Sequence, residues 1–270
     1  MRYIILVTIM SITFSIPQAQ AQEILDISYI ECSYKFTLMR DTVAKKKLIK
    51  DTDMRLLVGN KYTEFYSYTT FISDSIFNSE PTVDISSKIV DLSDLIKNSP
   101  RGESFKIYKN KVEKIITYTD EQGLYKFLYN EPFSKQNWKI TNETKVIADY
   151  KCQKATCTFR GRDYIAWFTR EIQVNEGPWK FSGLPGLIVK VYDTHEHYDF
   201  ELNSMQKVKK AIVFNEQDYT KVSRTDYIKT IRRFLSNPLS VFGNVEYTQL
   251  DGTARIPNAR RYDVMERDIK

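Results

Sequence analysis

Runs in which large apolar and polar residues alternate recur along much of this 270-residue chain. In the first of them, ILDISYIECSYKFTLM, alternation places Ile30, Cys32 and Tyr34 on one face of an extended strand. Tyr29 and Glu31 then fall on the opposite face. A helix would instead require apolar residues three and four positions apart. The pattern therefore predicts a protein built mainly from β-strands.

Further predicted strands follow at short intervals and are separated by turn signals. Gly59-Asn60 divides two predicted strand runs within residues 54–75, and Asn110 lies in the turn of a predicted hairpin. LYKFLYN is the next strand, and after it two long β-rich runs are joined at Gly161-Arg162-Asp163. Short connections between successive strands favour antiparallel pairing.

Helical patterns are fewer. The segment DYTKVSRTDYIKTIRRFLSNP has apolar residues at helical spacing, with Asp218 or Thr220 as the predicted N-cap and Pro238 as the stop. A second, short helix is predicted within residues 85–98. The predicted fold class is mainly β (α+β): a large twisted antiparallel sheet, or a half-open barrel made from it, with one or two helices against it.

The first 21 residues have the pattern of a secretory signal peptide. One positive charge precedes a 13-residue apolar stretch, and Ala19-Gln20-Ala21 supplies a small-residue cleavage site. An apolar stretch of this length is shorter than the roughly 20 residues of a membrane span. We expect a single β-rich domain over residues 22–270, without a membrane span and located in the periplasm or secreted.

The net charge of +6 is spread along the chain and forms no concentrated stripe, so we expect no nucleic-acid partner. Three cysteines make an odd set in a chain predicted to be exported. On one strand Cys152 and Cys157 would stand roughly 16 Å apart, too far to bridge. The prediction is therefore a disulfide between Cys32 and either Cys152 or Cys157.

The segment GPWKFSGLPGLIVKVYD concentrates glycine and proline among large apolar residues. Pro185 and Gly186 have the turn chemistry of a sharp reversal, and Gly183 suits a bend. A strand follows, whereas a phosphate-binding loop would precede a helix, and no G-x-S-x-G pattern is present. We interpret the loop as architectural. Its apolar side chains are also predicted to border a concave ligand-binding surface, the residues concerned being Trp179, Phe181, Leu184 and Leu187.

The same segment carries a family resemblance. FSGLPGLIVKVYD, preceded by FRGRDYIAWFTREI and EGPWKF, resembles the GLPGLI family of secreted Bacteroidota proteins. Its hexapeptide is Gly183, Leu184, Pro185, Gly186, Leu187 and Ile188. One departure is Gln173-Val174, where the family usually has a proline. The resemblance implies an exported envelope protein of unestablished activity, and it carries no catalytic residues over to this chain.

His195 and His197 are the two histidines of the chain. On a strand they would face the same side and could ligate one metal ion, with Asp193 or Asp199 as an oxygen donor. The alternative is a polar hairpin turn in which the histidines have no metal-binding role.

The sequence favours a non-catalytic role with no cofactor, in which the protein binds an apolar ligand or an envelope protein partner. Two alternatives stay open. One is a metal-dependent or hydrolytic enzyme that uses His195 and His197. The other is a structural accessory of an outer-membrane complex.

Overall fold

The structure, a computed structural model, describes residues 23–41, 46–78, 102–214, 218–237 and 264–269. The predicted signal peptide (residues 1–21) and the predicted helix within residues 85–98 lie outside these ranges. Neither of the two helices in the described part of the chain is long and apolar enough to cross a bilayer.

Twelve strands and two helices make up this part of the chain. The strands are β1 Glu23–Asp41, β2 Lys46–Val58, β3 Tyr62–Ser67, β4 Lys106–Asn110, β5 Ile115–Gln122, β6 Tyr125–Pro132, β7 Lys139–Ile147, β8 Tyr150–Phe159, β9 Arg162–Thr169, β10 Leu187–Asp193, β11 Tyr198–Phe214 and β12 Thr220–Lys221. The helices are α1 Tyr68–Asn78 and α2 Arg224–Ser236.

All twelve strands belong to one sheet, in the order β12-β6-β5-β4-β3-β2-β1-β11-β10-β9-β8-β7. Two antiparallel meanders, β1 to β6 and β7 to β11, meet where β1 pairs with β11. The two residues of β12 pair with β6 in parallel. The predicted fold class, a large antiparallel sheet with two helices, is confirmed.

One face of the sheet, called the inner face here, carries the main core. Cys32 and Tyr34 of β1 are fully buried on it, as the alternation in this strand predicts. The sheet curves, because rings on separated strands meet: Phe65 of β3 and Phe200 of β11 lie 5.9 Å apart between centroids. The connector between β9 and β10, residues 170–186, crosses this face, and the Lys109 Nζ of β4 donates to Phe181 O at 2.8 Å. Residues 170–186 therefore fill the concave inner face of the sheet.

The run between Trp138 and Ile172 forms three strands, whereas the sequence predicts two. The extra turn lies at Ala148-Asp149, where both residues have positive φ (47° and 65°). Arg160-Gly161 makes the next turn with φ of 51° and 75°. Two consecutive positive φ angles are typical of type I′ hairpin turns, whose twist matches that of the flanking strands. Alanine is not one of the residues from which a type I′ turn is normally predicted.

Residues after Ser67 form α1, although the sequence predicts a strand there. Ser67 Oγ accepts a hydrogen bond from Thr70 N at 3.2 Å, which is the contact of an N-cap serine. In α2 the N-cap is Ser223, whose side chain accepts from Asp226 N, and the predicted caps Asp218 and Thr220 are wrong. The buried side of α2 includes Tyr227, Ile228 and Phe234, as its helical spacing indicates.

Candidate binding site

The side chains predicted to border a ligand surface are packed inside the core. Trp179, Phe181, Leu184 and Leu187 are exposed by 2, 0, 1 and 0 %. The Phe181 ring makes an edge contact with Tyr164, at 4.7 Å between centroids. The prediction of an apolar binding wall is therefore corrected, because the connector fills the inner face that these residues were expected to leave open.

The glycines of the connector meet two different backbone requirements. Gly186 has a φ of 148°, and a Cβ there would lie 1.9 Å from Thr169 O. Gly183 has a φ of 88°, with nothing within 4 Å of the corresponding position. The Gly186 N–H donates to Leu184 O at 2.8 Å, which makes a three-residue turn around Pro185. The sequence predicts a four-residue turn, but the reversal is tighter than that.

Gly177 has a packing role that the sequence does not show. A Cβ at Gly177 would meet the Ile188 side chain at 2.8 Å. Trp179 has a φ of 51° within a turn closed by the bond from Phe181 N to Pro178 O, so Trp179 and Phe181 are not neighbours on a strand. Leu184, Leu187 and Ile188 of the motif belong to the core, whereas Gly183 and Pro185 are exposed.

The three cysteines are free and buried. Cys32 lies on β1 and Cys152 and Cys157 lie on β8, with β11, β10 and β9 between them in the sheet. The predicted disulfide is thus corrected, because all three thiols are free. Burial raises the pKa of Cys32 to about 12, which keeps this thiol protonated.

His195 and His197 lie in the turn between β10 and β11, and not on a strand. Their ring centroids are 5.5 Å apart, but His197 Nδ1 faces the Arg162 guanidinium at 3.3 Å. Asp193 pairs with Arg162 at 3.2 Å, so this predicted oxygen donor is already engaged. Asp199 pairs with Lys190 at 3.3 Å. No cluster of three or more metal-ligating side chains occurs within the described residues.

One cleft of the described structure lies on the outer face of the sheet, opposite the main core. It measures about 440 Å3, a size common for ligand sites. The residues that line it are Glu31, Ser33, Asp53, Arg55, Asn203, Ser204 and Gln206. We call it the polar cleft, because all seven side chains can donate or accept hydrogen bonds.

Strand register brings these seven residues together from three adjacent strands. Ser33 of β1 lies opposite Arg55 of β2 on one side and Ser204 of β11 on the other. Glu31, two residues earlier, lies opposite Gln206. Because side chains alternate between the two faces, Glu31 and Ser33 point away from the core that holds the intervening Cys32.

Glu31 and Arg55 are the charged centre of the polar cleft. The Glu31 side chain is 1 % exposed and accepts from Arg55 Nη1 at 2.6 Å, Lys210 Nζ at 2.7 Å and Gln206 Nε2 at 2.9 Å. Burial by itself would raise the pKa of Glu31, but these hydrogen bonds outweigh it and the pKa is lowered. Arg55 also holds Asp53 through two bonds of 2.6 and 2.7 Å. The cleft wall is therefore a fixed, ionised network.

Aromatic rings of α1 flank the polar cleft. The Arg55 guanidinium lies 4.1 Å from the centre of the Tyr68 ring. Phe71 contacts Tyr68 and Tyr66, with ring centroids 6.1 and 5.8 Å apart. Phe71 is 44 % exposed. The accessible Phe71 ring is thus connected to the polar cleft through Tyr68.

Sequence reasoning missed the polar cleft. One signal was present: Glu31 and Arg55 each stand between two apolar residues within a predicted strand. Charged residues in a strand usually face solvent, and nothing in the sequence specifies that strands β1 and β2 place this pair together.

Fold and cleft together define a class of protein: a mainly antiparallel β-sheet protein with a polar cleft on its outer face. The family model described as "N-glycanase peptide, N-terminal domain" matches residues 75–230, which is more than half of the chain. The chain belongs to this family. Asn203, Ser204 and Gln206 of the polar cleft fall within the matched residues, and the other four precede them.

Two solved structures of PNGF-II are similar to this chain. The structure in the P21 space group has a TM-score of 0.49 and 16 % identity, and the match covers 76 % of this chain and 33 % of that chain. The structure in the C2 space group has a TM-score of 0.49 and 17 % identity, with coverage of 76 % and 32 %. This chain spans about a third of their length. No curated protein sequence matches it.

Proposed function

We propose that this protein is a non-catalytic glycan-binding module and that the polar cleft is its binding site. The observation that carries the proposal is a hydrogen-bonding cleft whose Arg55 contacts the Tyr68 ring, which in turn contacts the exposed Phe71 ring. A sugar presents hydroxyl groups that both donate and accept, together with apolar C–H faces that stack on aromatic rings. Since the family description names an N-glycanase, N-linked glycans are the ligand class that we carry over as a proposal.

The groups available to such a ligand lie at the rim of the polar cleft. Asn203, Ser204 and Gln206 are exposed, and the Asp53 side chain is 26 % exposed. Because Arg55 fixes Asp53 through two bonds, the acceptor oxygens are held in place before a ligand arrives. Preorganisation of this kind lowers the entropic cost of binding.

The hydrogen bonds and lowered pKa of Glu31 argue against a role as general acid. A carboxyl group that acts as a general acid near neutral pH needs a raised pKa. The pKa of Glu31 is lowered, and its oxygens are occupied by Lys210, Arg55 and Gln206. We therefore assign Glu31 the role of organising the cleft wall.

The test is isothermal titration calorimetry of the purified chain with a glycopeptide that carries one N-linked oligosaccharide, and with the same peptide without the glycan. The glycopeptide should bind, and the peptide without the glycan should not. Asn203→Ala should weaken binding about fivefold, the scale of one lost hydrogen bond, and Phe71→Ala about tenfold, the scale of a lost stacking contact. Mass spectrometry of the glycopeptide after incubation should show it intact.

Asn142→Ala is the matched control, because Asn142 is an exposed asparagine on β7, at the far edge of the sheet. It should leave the affinity unchanged. Equal binding of both peptides, or equal effects of Asn142→Ala and Asn203→Ala, would contradict the cleft assignment. Release of the glycan would contradict a non-catalytic role.

Export to the periplasm or beyond and membership of the GLPGLI family are kept as proposals that rest on the sequence. The envelope-protein partner and the structural-accessory role also stay open as predictions. The apolar-ligand proposal has lost its support, since its four predicted residues are buried.

A further inference from the structure

The segment Val264–Ile269 lies against a cluster of buried and partly buried cationic side chains. Three cations from separate parts of the fold form this cluster. Lys180 comes from the connector between β9 and β10, Arg160 from the turn between β8 and β9, and Arg224 from the first position of α2. They converge on carboxylates of the segment.

Glu266 is the centre of these contacts. Its carboxylate accepts from Lys180 Nζ and, at 2.5 Å, from Arg224 Nε, and Arg160 Nε lies 3.9 Å away. Glu266 is 6 % exposed. Asp268, two residues on, accepts from Arg224 Nη2 at 2.5 Å and Arg160 Nη1 at 3.3 Å.

Without the segment, the cationic cluster would lack most of its compensating charge. Within the rest of the described chain, Glu131 is the one acid that pairs with Lys180, Arg160 and Arg224. The Lys180 side chain is fully buried, and an uncompensated buried ammonium group is strongly unfavourable. Arg224 stands at a helix N-terminus, where the helix dipole disfavours a cation. The cluster is thus built to receive anions.

The backbone of the segment is also held by side chains. The guanidinium groups of Arg162 and Arg232 donate to four of its carbonyl oxygens, those of Val264, Met265, Glu266 and Ile269. The Arg267 N–H donates to Arg160 O at 2.8 Å. The segment belongs to no strand or helix. It is therefore held by side chains in a groove, in the way a bound peptide is held.

Apolar residues at both ends anchor the segment. Val264, Met265 and Ile269 pack against the main core cluster. The bound pattern is therefore two apolar residues, Glu, Arg, Asp and one apolar residue.

We propose that the groove formed by Arg160, Arg162, Lys180, Arg224 and Arg232 is a recognition site for acidic peptides, and that Val264–Ile269 is its exchangeable intramolecular occupant. A peptide with the same two carboxylates and apolar ends, supplied by another molecule, takes the place of this segment. The polar cleft on the outer face has no part in this site.

The test uses the full chain, folded first and then cut once. A protease recognition sequence is placed between residues 245 and 255, in a part of the chain that the structure does not describe. After cleavage, a fluorescently labelled peptide of residues 264–269 is added, and its anisotropy reports binding. The cut chain should stay folded by circular dichroism and bind the labelled peptide. The uncut chain should bind at least about tenfold more weakly, because its own segment competes at high effective concentration.

The matched control is the same peptide with Glu266→Gln and Asp268→Asn. It should bind the cut chain at least about tenfold more weakly, since charge-assisted hydrogen bonds are lost. Equal binding of the two peptides would overturn the proposal. Unfolding of the chain on cleavage, or no exchange with the labelled peptide, would show that the segment is a permanent part of the fold and would likewise overturn it.

Discussion

At the scale of single residues, Gly183 and Gly186 illustrate two separate reasons for a glycine in one short motif. Both have positive φ, but a side chain at Gly183 would project into open space. At Gly186 it would collide with the backbone carbonyl of Thr169. A backbone atom of the neighbouring strand cannot rotate away as a side chain can.

Gly183→Ala and Gly186→Ala should therefore differ in cost. Gly183→Ala should lower the free energy of unfolding by about 1–2 kcal/mol, the scale of left-handed backbone strain. Gly186→Ala adds overlap with a fixed carbonyl and should cost more than about 4 kcal/mol or prevent folding. Urea unfolding of both variants measures the difference, and equal midpoints would contradict it.

At the scale of elements, the first turn of α2 is fixed by its N-cap residue, Ser223. Ser223 Oγ accepts from Asp226 N at 3.0 Å and satisfies one of the free N–H groups of the first turn. The helical spacing of Tyr227, Ile228 and Phe234 is visible in the sequence. The cap is harder to choose, because Asp218, Thr220 and Ser223 are all capping residues and only packing fixes the first turn.

Ser223→Ala should lower the free energy of unfolding by about 1 kcal/mol, the usual cost of a lost N-cap. Ser236→Ala is the matched control, since Ser236 is an exposed serine near the other end of α2 whose hydroxyl donates to Arg233 O. It should change stability by less than about 0.5 kcal/mol. Thermal or urea melts distinguish the two, and a control as destabilising as Ser223→Ala would count against the assigned cap.

At the scale of the whole molecule, four carboxyl groups with shifted pKa values act in two opposite directions. Burial favours a higher pKa for all of them, but hydrogen bonds and cations lower the pKa of Glu31, Glu266 and Asp268. In Glu64 burial dominates and raises the pKa to about 7. The first three stabilise the folded state above the unfolded pKa of about 4, and this contribution is lost as pH falls through the folded values.

Glu64 changes the pH dependence of stability in the opposite direction. Its folded pKa lies above its unfolded value, so the folded state is penalised increasingly as pH rises from about 4.5 to 7. Glu64→Gln should therefore gain on the order of 1–3 kcal/mol relative to the native chain at pH 7 and little at pH 4.5. Burial lowers the pKa of His197, so its protonation destabilises the folded state on acidification. This effect is the same in both proteins and cancels when their unfolding free energies are compared. Urea unfolding at the two pH values tests this, and a gain independent of pH would contradict it.

The sequence by itself determined the local features of this protein. Alternation in β1 predicts that Cys32 and Tyr34 share the buried face, the hairpin at Asn110 is confirmed, and α2 is found where helical spacing indicates it. In that hairpin the Asn110 side chain accepts from Val112 N and Glu113 N, a contact that lies within four residues. Such features depend on backbone geometry and on near neighbours, which the order of residues specifies directly.

Only the tertiary structure decided which surfaces are covered and which charges meet. Trp179 and Phe181 look suited to an open apolar wall, but residues 170–186 bring them across the inner face and bury them. Lys180 meets Glu266, 86 residues away, and Glu31 meets Gln206, 175 residues away. The physical reason is that alternation marks two faces of a strand without specifying what packs on either. That choice is made by the curvature of the sheet and by segments distant in sequence.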